Sequence, residues 1–128
     1  MSNWDETVFS DEDNTDFLDE LNDLDDRDLE EALEDAINTA LHHAAIPSGE
    51  YSNGLCAATI AAIWAGAPYS AATVADDHPF IRQHIGEVEG GLQELALQLL
   101  DKEHERRAEQ MDDSEDAEGL ETFVEALS

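Results

Sequence analysis

The chain has 128 residues, of which 33 are Asp or Glu and only five are Lys or Arg, so its formal net charge at neutral pH is -28. A protein that binds nucleic acid or an anionic membrane neutralises phosphates with Lys and Arg, so this chain is excluded from both classes as a direct binder. Its hydrophobic content of 41% and its length predict one folded domain with a real core.

The acidic N-terminal part begins with a predicted short helix. Phe17, Leu21 and Leu24 recur at helical spacing, and Ser10 and Asn14 are candidate N-caps. The apolar residues at positions 4, 8 and 9 precede this helix, and we expect them to pack on the core as a lead-in. The functional alternative is that the tryptophan at position 4 is an exposed anchor for a partner.

The second predicted helix has a stronger pattern. Leu29, Leu33, Ile37 and Leu41 repeat every four residues and give one apolar stripe, while carboxylates cover the remaining faces. Residues 55–65 are then apolar almost all round and rich in alanine, which predicts a buried central helix. A glycine at position 66 and a proline at 68 end it.

Two further helices are predicted beyond the central one. A short helix follows Pro79, carries Phe80, Ile81 and Ile85, and closes at Gly86. A long helix spans about 89–110. Its apolar stripe consists of Leu92, Leu95, Ala96 and Leu99. We also expect an i, i+4 ion pair between Glu103 and Arg107.

The C-terminal segment carries one more amphipathic face. Residues 1–111 are predicted to form an acidic helical domain, and 112–128 an acidic linker plus a short helix. The face is made by Leu120, Phe123, Val124 and Leu127. It either docks on the same domain or serves a partner, for example as a homodimer interface.

These patterns predict an all-α, single-domain bundle of about five helices around a buried, alanine-rich central helix. No strand pattern of convincing length and no repeat is present. The lone Cys56 fits a buried position in a reducing compartment, and we expect a cytoplasmic protein without a membrane span.

The sequence contains none of the common catalytic or metal-binding motifs. His42 and His43 diverge by about 100° on a helix and cannot both bind one metal without other ligands. His78 beside Asp76 and Asp77 is the remaining metal candidate, although such residues commonly cap helices and form turns. We therefore predict a non-enzymatic protein with no catalytic residue, cofactor or metal ligand.

Two segments resemble a known family. Residues 4–21 read WDETVFSDEDNTDFLDEL, and residues 51–68 read YSNGLCAATIAAIWAGAP. Both blocks, at this separation, are similar to a small bacterial family catalogued as domain of unknown function 4259. Asn3 and Asp5 stand where that family usually carries glycine. The resemblance implies a fold and transfers no activity and no catalytic residue.

The uneven acidity suggests a binding surface. Sixteen carboxylates lie within residues 5–35, against three within 36–85. We predict that the chain binds and inhibits a basic protein, such as a toxin, a nuclease or a DNA-binding protein, as an immunity protein or a DNA mimic does. The predicted contact residues are Asp11, Asp16, Asp19, Glu20, Asp23, Glu30, Glu31, Glu34 and Asp35. The alternatives are acidity that only preserves solubility at high salt, and a weak metal-binding or enzymatic protein.

Overall fold

The computed structural model describes residues 8–9, 12–42, 49–66, 78, 80–86, 88, 90–109 and 115–127, with the backbone alone at 26, 82, 107–109 and 115–119. The helices with defined bounds are α1 (Glu12–Asn22), α2 (Asp26–His42), α3 (Gly49–Trp64), α4 (Phe80–Gln83), α5 (Gly90–Glu109) and α6 (Glu115–Leu127). These ranges contain no β-strand, and the predicted all-α bundle is confirmed. No helix within them is both long and apolar enough to cross a membrane.

Helix α3 is the buried centre of the bundle, as predicted. Tyr51 and all residues from Gly54 through Trp64 are buried, and α3 contacts each of the other five helices. Its many alanine side chains let neighbouring helices approach closely. It begins at Gly49, ahead of the apolar run, and Gly66 ends it with a φ of +114°.

Helices α2 and α3 are in close contact at Gly54. A Cβ atom added there would overlap the Cβ of Ala40 and would lie 2.9 Å from the carbonyl oxygen of Ala36. Glycine in a helix interior is normally unfavourable by roughly 0.5–1 kcal/mol relative to alanine. Here it is required by the approach of α2. The predicted stripe of α2 is buried at Leu29, Leu33 and Ile37 and half-buried at Leu41.

Helix α1 packs on the core with a face that overlaps the predicted one in part. Its buried residues are Asn14, Leu18 and Leu21, whereas Phe17 is half-buried and Leu24 is 37% exposed. Leu21 is buried as predicted and Phe17 packs partly buried against the core. The prediction was wrong for Leu24, because the helix ends at Asn22.

Asn14 is not an N-cap, because the helix begins two residues before it. Its Nδ2 donates to the carbonyl oxygen of Val8 at 2.8 Å and fastens the lead-in segment. Val8 and Phe9 are buried, which confirms the packed lead-in for these two residues. The structural part of the prediction for Trp4 and Ser10 lies outside the described residues.

Helix α4 is tied to the end of α3. The indole Nε1 of Trp64 donates to the carbonyl oxygen of Ile81 at 3.0 Å, and the backbone nitrogen of Gly86 donates to the carbonyl oxygen of Trp64 at 2.6 Å. Gly86 has a φ of +89°, in agreement with its predicted role of closing this short helix. Phe80 is buried as expected, but Ile85 is 44% exposed because α4 ends at position 83 and Ile85 lies in the following turn.

Helices α5 and α6 complete the bundle. In α5, the stripe residues Leu92, Ala96 and Leu99 are buried, and the fourth, Leu95, is half-buried. In α6, Leu120, Phe123 and Leu127 are buried and Val124 is half-buried.

The apolar face of α6 docks on the same chain. Helix α6 contacts α3 and α5, and the Nε2 of Gln93 donates to the carbonyl oxygen of Leu127 at 2.8 Å. The face is therefore covered by the same chain, as the docking alternative predicts, and the homodimer through it stays a prediction. The helix begins at Glu115, so the linker expected before Leu120 is partly helical.

Candidate functional site

An open cleft of about 440 Å³ lies where α1, α2 and α3 meet. Its lining residues are Phe17 and Glu20 of α1, Ala32, Asp35, Ala36 and Thr39 of α2, and Glu50 and Asn53 of α3. We call it the acidic cleft, because each of the three helices contributes one carboxylate.

One face of α2 forms the longest wall of the acidic cleft. The lining positions 32, 35, 36 and 39 follow the i, i+3, i+4, i+7 spacing of a single helical face. Ala32 and Ala36 have small side chains, which leave the volume open. Together with Phe17 they pack partly buried against the core, so the floor of the cleft is apolar.

The polar side chains of the acidic cleft are mostly acceptors. Glu20, Asp35 and Glu50 are exposed at its rim, and none of the described lining residues is basic. The Oδ1 atom of Asn53 is buried and accepts no hydrogen bond from any residue that the structure describes. An acceptor buried in this way is unfavourable by roughly 1–3 kcal/mol.

Carboxylates around an apolar floor suit a cation that also carries carbon surface. The side chains of Lys and Arg have this character, since an apolar stem or plane accompanies the charge. A metal ion fits less well. Among the described residues, no group of three or more His, Cys, Asp or Glu side chains is arranged to hold one, the acidic cleft included.

The predicted contact residues lie mostly on the outer faces of α1 and α2. Glu30 and Glu34 are half-buried. The six exposed ones are Asp16, Asp19, Glu20, Asp23, Glu31 and Asp35. Asp11 lies outside the described residues. Of the predicted set, only Glu20 and Asp35 meet at the acidic cleft. Asp16 and Glu31 each precede one of them by a single helical turn and so extend the same acidic face.

His78 connects the segment before α4 to the end of α1. Its ring is buried, its Nδ1 lies 2.7 Å from Nδ2 of Asn22, and its Nε2 lies 3.9 Å from a carboxylate oxygen of Asp19. The Nδ2 of Asn22 can only donate, so this contact is a hydrogen bond in the tautomer whose Nδ1 accepts. Asp76 and Asp77 lie outside the described residues, as does His43, and His42 is exposed at the end of α2.

Glu103 forms a buried polar network that joins α3 to α5. The Tyr51 hydroxyl donates to its Oε1 at 3.0 Å, while Arg106 donates from Nε at 2.6 Å and from Nη2 at 2.8 Å. Burial and the adjacent carboxylate raise the pKa of Tyr51, and the hydrogen bond to Glu103 raises the pKa of Arg106. Arg106, at i+3, is a partner of Glu103 that the sequence analysis did not predict. The predicted pairing of Glu103 with Arg107 lies outside the described side chains.

The sequence reasoning missed Glu50 and Asn53 as residues of the acidic cleft. They lie at i, i+3 in the first turns of α3, and Phe17, assigned to the core, forms part of the floor. The available signal was that Glu50 is the only carboxylate between positions 36 and 75. Its position beside α1 and α2 depends on how three helices pack, which periodicity does not contain.

Comparisons with known proteins identify the family. No curated protein and no solved structure matches the chain. The sequence profile of one family, described as Domain of unknown function (DUF4259), matches residues 2–126, which is nearly the whole length. The chain therefore belongs to the family of domain of unknown function 4259.

Proposed function

We propose that this chain is a non-enzymatic interaction protein that binds a basic protein through the acidic cleft and the carboxylates of α1 and α2 around it. The observation that carries the proposal is the convergence of Glu20, Asp35 and Glu50 on a cleft with an apolar floor. The exposed carboxylates speed association with a basic surface, and the floor adds contacts that salt does not screen. More specifically, we propose that the chain inhibits the basic protein it binds, which is a toxin, a nuclease or a DNA-binding protein.

A second candidate function rests on the rest of the surface. Glu94, Asp101 and Glu105 on α5, and Glu121 and Glu125 on α6, are also exposed carboxylates. Acid spread over several faces is what adaptation to high salt would produce, without any partner. The two candidates differ in whether the position of the carboxylates matters or only their number.

Two variants with equal charge change separate the candidates. The acidic-face variant carries Asp16→Asn, Glu20→Gln, Glu31→Gln and Asp35→Asn. The control variant carries Glu94→Gln, Asp101→Asn, Glu105→Gln and Glu121→Gln. All eight positions are exposed, and each variant loses four negative charges.

The experiment is affinity capture from a lysate of the source organism with the wild-type chain and both variants, read by mass spectrometry at about 50 mM salt. We expect one basic protein to be retained by wild type and control and lost by the acidic-face variant. The recovered protein is then purified, and its own activity is assayed with and without the chain. Inhibition in this assay supports the proposal that the chain is an inhibitor. Equal recovery by both variants, or no partner at all, favours adaptation.

A further inference from the structure

We draw no further inference here: the strongest candidate, the cluster of the buried His78 ring with Asn22 and Asp19 at the end of α1, joins α1 to the segment before α4 through both ring nitrogens, and these contacts within the chain point to no ligand, partner or reaction.

Discussion

Glu103 is a carboxylate buried in the core, 1% exposed, whose charge is balanced by Arg106 and whose oxygens accept from Tyr51. Removing a countercharge from a buried carboxylate is strongly destabilising, by roughly 3–5 kcal/mol when both groups are buried. The Arg106 side chain is 32% exposed, so solvent screens part of this interaction.

Arg106→Leu should therefore lower the free energy of unfolding by about 2–4 kcal/mol, measured by urea denaturation at neutral pH. The double variant Glu103→Gln with Arg106→Leu should recover part of the loss, because no charge is then buried. A single variant as stable as wild type would show that the network does not hold α5 against α3.

Tyr51→Phe tests the same network through its pH dependence. The pKa of Tyr51 is raised in the folded state, by burial first and then by Glu103. The stabilisation that comes with the neutral phenol is thus complete below the unfolded pKa of about 10 and decreases as pH rises above it. We expect the variant to be less stable than wild type by roughly 1–2 kcal/mol at pH 7.

The difference in the free energy of unfolding between wild type and Tyr51→Phe should shrink above about pH 10. There the unfolded wild type is stabilised by ionisation of Tyr51, and the variant has no phenol to ionise. A difference that stays constant or widens with rising pH would contradict the raised pKa.

At the scale of the helices, the contact between α2 and α3 depends on Gly54. Gly54→Ala would place a methyl group against Ala40 and the backbone of Ala36, and should destabilise by roughly 1–3 kcal/mol. The matched control is Gly90→Ala at the start of α5, where an added Cβ meets no atom of the described residues within 4 Å. That change should be neutral or stabilising by up to about 1 kcal/mol.

Thermal unfolding of both glycine variants against wild type measures these effects. Equal, small effects at both positions would mean that α2 and α3 are further apart than the structure places them. The test also separates packing from helix propensity, because propensity alone favours alanine at both sites.

The sequence predicted the helices well where one apolar stripe dominates. In α2, Leu33 and Ile37 belong to a single unbroken stripe, and both are buried. In α1, stripes starting at Phe17 and at Asn14 share Leu21, and the choice between them depends on the neighbouring helices. The same limit explains the acidic cleft, since the distance between helices is set by Gly54 and the alanines and not by the period of any one helix.

At the scale of the whole molecule, a net charge of -28 opposes folding by self-repulsion. Added NaCl screens exposed charges, with a Debye length of about 10 Å at 0.1 M. We expect the free energy of unfolding to rise by on the order of 1 kcal/mol between about 20 and 500 mM NaCl.

The control for the salt series is the same titration near the isoelectric point of about 4.1, where the net charge is small and the salt effect should be weaker. A free energy of unfolding that is independent of NaCl at neutral pH would contradict the idea that self-repulsion destabilises the fold appreciably. Folding that requires molar salt would favour adaptation to high salt over a binding role.

We propose that the position of the carboxylates around the acidic cleft, and not their number, determines binding of a basic protein. Calorimetric titration of the captured protein with wild type, the acidic-face variant and the control variant tests it most directly. We predict that the acidic-face variant binds at least about tenfold more weakly than wild type, and that the control variant stays within about twofold. Equal weakening in the two variants would contradict the claim, because charge alone would then account for the binding.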